Sequence, residues 1–405
     1  MNILIRVQKK IGRGINTLTG KAARWFRRPK KRVFPLADRL LADALRLAEI
    51  PSPTRREERR VAFVLERLNA LGLISRIDEN GNVLVRIHSA EIVDEPPLLL
   101  FTDLGSKRWH PLESLSRLDA VHASGAGLGD VLGTAALLSA AENIAGGRIV
   151  CRRDLLLLFA ARSFDDPGTD VFSSITEIPM NRPCAAIGVW GFTLGSVRVH
   201  TQGTYRINIT FSLDHKKESG KTEAPAPDRA NLVMDALLAT AQELSRITGD
   251  THNVVHFYTR RLEVGTGFGR IPSEGILEIE MESSDPSLLD NTMNQVKAAA
   301  EAAGEGKPIK ITVDITSFIP VGDPAVNAGL FQEIREIMKE LRIKTNEENG
   351  SDPSAFLSNQ GIPSLSLGIV YGQEGLHKDE IEIGSIEKGR LLLEKIITQI
   401  PREKT

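Results

Sequence analysis

The sequence predicts an α/β protein with a mixed, mostly parallel sheet and helices on both faces, interrupted by an α+β insert. Three observations predict it. The continuous apolar runs Leu98–Phe101 and Leu155–Ala160 read as strands buried on both faces. They alternate with apolar repeats of helical period at 36–49, 57–71 and 133–144. Near residue 197 the texture changes to half-exposed alternation, and it reverts near 317, so the α/β domain is discontinuous. The domain reading is 1–34 as a leader, 35–196 with 317–405 as the α/β domain, and 197–316 as the insert.

The leader holds eleven Lys or Arg, among them Lys9, Lys10, Arg13, Lys21, Arg24, Arg27 and Arg28, and no acid. Its apolar residues Leu4, Val7, Ile11, Ile15, Leu18, Ala22 and Trp25 fall at steps of three and four, which makes one helical stripe. Trp25 and Phe26 beside Arg24, Arg27 and Arg28 resemble an interfacial anchor for an anionic membrane surface. Gly12, Gly14 and Gly20 weaken the helix, so it forms on binding. A tail docked on an acidic protein surface and a targeting segment are the other readings. Without the leader the body carries 40 basic against 52 acidic residues.

Composition narrows the function classes. No apolar run reaches the roughly 18–20 residues needed to span a bilayer. The two cysteines, Cys151 and Cys184, have no CxxC spacing, which argues against a disulfide framework or a thiolate zinc site and fits a cytoplasmic protein. No nucleic-acid-binding signature accompanies the basic charge, and no GxSxG or cysteine–histidine pairing marks a nucleophile.

Along the body, the Pro-Ser-Pro of 51–53 separates the first two helices, and Glu79-Asn80-Gly81-Asn82 turns into the alternating strand Val83–Ile87. A glycine-rich loop is expected to open the helix at 133–144. In the insert, 197–199 and 206–211 read as strands, 230–247 and 286–303 as helices, and 309–315 as a closing strand. Residues 327–341 then read as a helix and 363–367 as a strand.

That order of elements resembles the co-catalytic di-zinc peptidase family, which includes peptidase T, glutamate carboxypeptidase, aminoacylases and succinyl-diaminopimelate desuccinylase. The resemblance is carried by AEIPSPTRREERRVAFVLERLNALGL, IDENGNVLVRI, GAGLGDVLGTAALL, SDPSAFLSNQGIPSLSLG and GLHKDEIEIGSIEKG, over about residues 36–400. It implies a zinc-exopeptidase-like α/β domain and a ferredoxin-like insert that acts as a lid and often as a homodimer contact. It also implies two metals about 3.5–4 Å apart, sharing one carboxylate, with a second carboxylate activating the bridging water.

Residue by residue, much of what the resemblance implies is missing. The first metal ligand, a histidine two positions before an aspartate, falls on Phe101, while the aspartate that would orient it survives as Asp103. The bridging aspartate falls on Gly129, with Asp130 one residue late; Asp130 reads equally as a helix N-cap. Asp165 and Asp166 stand at the general-base and ligand positions, each one methylene short of glutamate, and they also fit an Asp-Asp-Pro-Gly turn. The fourth ligand falls on Val189, and the last is kept as His377 before Glu380. Of the substrate-gripping positions, an asparagine falls on Gly269 and an arginine on Glu282, and a lid histidine aligns loosely with His215. His110 is a further histidine close to the first ligand position.

Two remnant ligands cannot close a four-coordinate zinc site. The sequence therefore points to a pseudo-enzyme without a metal, kept for binding, assembly or regulation and brought to a membrane by its leader. The alternative is a hydrolase, an amidase or exopeptidase, with a rearranged or single zinc held by some of Asp103, Asp130, Asp165, Asp166 and His377.

Overall fold

The computed structural model describes residues 35–53, 56–90, 95–106, 116–161, 169–177, 182–214, 231–251, 255–265, 267, 270–375 and 377–400. The leader lies outside the described residues, as do His110, Asp165, Asp166, His215 and Gly269. No described helix is long and apolar enough to cross a membrane.

The chain begins with helices α1 (Pro35–Ala48) and α2 (Glu58–Ala70), followed by strands β1 (Ser75–Ile77), β2 (Val83–Ile87), β3 (Leu98–Asp103), β4 (Arg117–Leu118) and β5 (His122–Gly125). Next come α3 (Leu128–Ala145), β6 (Leu155–Ala160), α4 (Thr169–Thr176) and β7 (Ala185–Leu194). The insert is built from β8 (Ser196–Leu213), α5 (Leu232–Thr251), β9 (Val255–Val264), β10 (Glu274–Ser283), α6 (Pro286–Gly304) and β11 (Ile309–Ile319). The chain closes with α7 (Pro324–Glu340), β12 (Asn346–Ser351), α8 (Ser354–Asn359), β13 (Ser364–Gly368), β14 (Gly372–Gln373), β15 (Asp379–Glu382) and α9 (Ile383–Gln399).

This is the expected fold class. The centre of the large sheet, β6-β3-β7-β13, is parallel, with β1 and β2 added antiparallel at one edge. In the insert the order β11-β8-β10-β9 is antiparallel throughout, which with two helices in βαββαβ order is a ferredoxin-like arrangement. Period-two alternation along β3 serves two cores. Leu98 and Leu100 join the main core under α1, α3 and α9, while Leu99 and Phe101 join a smaller cluster with Phe172 and Ile175 of α4 and Leu357 of α8.

Two elements differ from their sequence expectation. β8 is one strand of 18 residues, where two short strands at 197–199 and 206–211 were expected. Its polar middle stays extended because both halves are paired: with β12 as far as Gln202, then with β10 from Gly203. The change of partner therefore falls inside one continuous strand. The helix expected at 133–144 starts earlier, at Leu128, after a short glycine turn capped by Gly127. A Cβ on Gly133 would lie 2.1 Å from the Val189 carbonyl oxygen and 2.3 Å from Thr102 Oγ1, so its glycine lets α3 press on the sheet.

Candidate functional site

Parallel strands of this kind open their site beyond their carboxyl ends. Here a cleft of about 910 Å³ lies beyond β3 and β7, with the exposed face of the insert sheet as its opposite wall. From the α/β domain it takes Asp103, Gly129, Asp130, Trp190, Phe192 and Asp379, and from the insert Arg206, Arg260, Glu280 and Glu282.

The α/β wall is set by aromatic packing. Phe101 is 1% exposed, and its ring meets Phe172 edge-on at 5.1 Å and Trp190 edge-on at 6.4 Å between centroids. Trp190 is fixed in turn by its indole N–H, which donates to Asp352 Oδ2 at 3.2 Å. Asp352 is fully buried and also accepts from Ser366 Oγ (2.8 Å) and the Ser354 amide (2.9 Å), with Arg198 Nη1 at 3.5 Å. Phe192 fills the next position. A Cβ on Gly129 would lie 2.3 Å from its ring, and one on Gly372 would lie 2.4 Å away, so a side chain at either position would displace the ring. Val189 is fully buried in the main core.

The surviving carboxylates stand around this packing. Asp103 ends β3, is 5% exposed and lines the cleft; its carbonyl accepts from Thr134 Oγ1 at 2.9 Å. Asp130 is in the first turn of α3, whose N-cap is Gly127, and it accepts from Ser106 Oγ at 2.7 Å. Asp379, 2% exposed, accepts from the Gly129 amide (3.0 Å) and the Gly375 amide (3.4 Å). Its neighbour His377 is exposed and is not part of the cleft lining, which here comes from Glu374 and Asp379.

Arg60 supports this wall from behind. It is 1% exposed and donates to the carbonyls of Leu104 (2.8 Å), Gly105 (3.3 Å) and Ile50 (3.2 Å), clamping the chain as it leaves β3. Burial pulls its pKa down to about 10, against the charges of Asp130 and Glu57.

On the insert wall, Glu280 of β10 accepts from Arg206 Nε at 2.8 Å and from Arg260 Nη2 at 2.5 Å. Burial pushes this carboxyl up, but the two arginines outweigh it and hold the pKa below 4.5. Glu282 stands two residues on, on the same face, and shifts the other way: burial and the charge of Glu280 raise it.

The sequence reading named Asp103, Asp130, Gly129 and Glu282, and all four line one cleft; it missed Arg60, Asp352 and Asp379. Phe101, Gly129 and Val189 carry no ligand atom, and no group of three His, Cys, Asp or Glu converges to hold a metal among the described residues.

No protein-family model matches the sequence, and no curated protein matches it. Solved structures do. A tripeptidase from Staphylococcus aureus is 18% identical and superposes with a TM-score of 0.66, covering 89% of this chain and 97% of its own. An aminobenzoyl-glutamate utilization protein from Klebsiella pneumoniae is 13% identical with a TM-score of 0.68, covering 91% and 98%. A dinuclear metal-binding peptidase of the M20 family from Bacillus subtilis is 15% identical with a TM-score of 0.59, covering 89% and 97%. At these identities the likeness is one of fold: the chain has the fold of the M20 peptidases and amidases over nearly its whole length.

Proposed function

We propose that this chain is a non-catalytic descendant of the M20 metallo-hydrolases, retained as a binding, assembly or regulatory protein. The observation that carries this reading is the packing at the strand ends. Three expected ligand positions are filled by a buried ring, a glycine against a ring, and a core valine, so a ligand side chain at any of them would meet apolar neighbours. A zinc-activated water needs three or four fixed ligands, and remnants on one side of a pocket cannot hold the ion against solvent. Metal analysis of protein purified without chelator, followed by titration with zinc, manganese and cobalt, tests it. The expected result is no tightly bound equivalent in a fully folded protein; two tightly bound equivalents would sink it.

The second reading, a hydrolase with a single rearranged metal, draws on Asp103, Asp130 and Asp379 lining the same wall. One tight equivalent, accompanied by amide hydrolysis that chelation abolishes, would favour it.

The basic leader adds a location to the proposal. Its Trp25-Phe26 pair among arginines suits an anionic membrane surface. Binding to phosphatidylserine vesicles is expected to weaken with salt and to disappear on deletion of 1–34. Equal binding by the shortened chain would end this part of the proposal.

A further inference from the structure

Among the described lining residues of the cleft, carboxylates outnumber arginines seven to three. Each arginine already faces an acid. Arg206 and Arg260 both donate to Glu280, and Arg198 lies 3.5 Å from the buried Asp352. Glu282 is different. It is half-buried, lines the cleft, and forms no hydrogen bond or ion pair among the described residues. Its cross-strand neighbours are Thr204 on β8 and His256 on β9. Thr204 Oγ1, on a residue 2% exposed, also has no hydrogen-bond partner. Glu282 therefore accepts no hydrogen bond, and Arg206, Arg260 and His256 act on its charge only from a distance.

We infer that the cleft binds a small organic cation, an ammonium or guanidinium, and that Glu282 is the carboxylate that recognises it. The size of the cleft suits a small molecule, since pockets of about 300–1,000 Å³ enclose ligands of that class. Glu280 is less suited to this role, because each of its oxygens already accepts from a guanidinium group. Repulsion of the ligand by the arginines is reduced, because Arg206 and Arg260 share Glu280 and Arg198 lies against Asp352. A dicarboxylate, by contrast, would meet a lining in which acids outnumber arginines. The groups facing Glu282 are Glu280 on its own strand, Arg206 on β8, and Arg260 and His256 on β9. Binding therefore strengthens as pH rises through the raised pKa of Glu282, because the ligand needs the ionised form.

This inference rests on the reading of the chain as a binding protein, and the experiment separates the two. Chelator-treated full-length protein is titrated calorimetrically with agmatine, which carries an ammonium and a guanidinium, and with glutarate, a dicarboxylate. Agmatine is expected to bind and glutarate not. Glu282→Gln, the same shape without the charge, is expected to weaken agmatine about tenfold or more with the fold intact by circular dichroism. Glu282→Asp is expected to keep part of the affinity. Tighter binding of glutarate, no binding of agmatine, or equal affinity in Glu282→Gln would overturn the inference. Tightly held zinc in untreated protein would sink the non-catalytic reading while leaving Glu282-dependent agmatine binding standing.

Discussion

The two walls of the cleft solve opposite problems. At the end of β3 and β7 the α/β wall is closed by Phe101, Phe172, Trp190 and Phe192, with glycines pressed against the rings. Facing it, the insert wall carries charged groups on β8, β9 and β10, of which Arg206, Arg260 and Glu280 pair with one another. Side chains that coordinate or polarise must be held away from apolar neighbours, whereas side chains that pack must not be. The first wall has taken the packing solution and the second has kept the electrostatic one.

The comparison breaks first at Phe101. If its ring is a structural plug, Phe101→Ala should cost about 3–5 kcal/mol in urea unfolding, as for other large buried aromatics. Phe101→His should also destabilise, and it should gain no zinc affinity, because the imidazole would face Phe172 and Trp190. Stability near wild type in Phe101→His, with zinc bound, would mean that the wall is still a metal site. A smaller effect is expected at Gly129. Gly129→Asp drives a Cβ into the Phe192 ring and should cost about 1–3 kcal/mol. Adding Phe192→Ala should return part of that loss, so the pair is non-additive in a double-mutant cycle. Additive behaviour would show that the ring yields easily and does not close the position.

How much of this was legible depended on whether a residue's role is local. The strands Val83–Ile87 and Leu155–Ala160 were legible to the residue, since their alternation or apolar continuity is a property of the segment itself. The sequence reading named Phe101, Gly129 and Val189 as positions without a ligand atom, but how they pack was not legible. Phe192 occurs in an unremarkable WGFTLG stretch, and only the fold brings it against Gly129 and Gly372. Arg60 was hidden in RREERR, which reads as a solvated helix face, although its guanidinium is buried under the loop after β3. β12 was hidden for a similar reason. NEENGS has no strand propensity of its own, and it extends because β8 offers it a parallel partner. Asp352 and Asp379 lay within quoted motifs, but their burial depends on donors far away in sequence, Trp190 and Gly129.

The smallest effects test the insert wall, through two glutamates two residues apart with opposite shifts. Glu280 has a folded pKa below its ordinary value. Its contribution to stability is therefore present above the unfolded pKa and is lost as pH falls through the folded one. Glu280→Gln leaves Arg206 and Arg260 without their carboxylate and should cost about 2 kcal/mol near neutral pH, a cost that fades in acid. Glu282 has a folded pKa above its ordinary value. Its contribution is present below the unfolded pKa and is lost as pH rises through the folded one. Glu282→Gln should therefore slightly raise the melting temperature near neutral pH and leave it unchanged in acid. Melting curves of both variants across pH check the pair: the two differences from wild type should have opposite sign and grow together as pH rises. Same-sign differences would mean that Glu282 finds a cation in the folded protein without a ligand, and that the two walls are less unlike than their packing indicates.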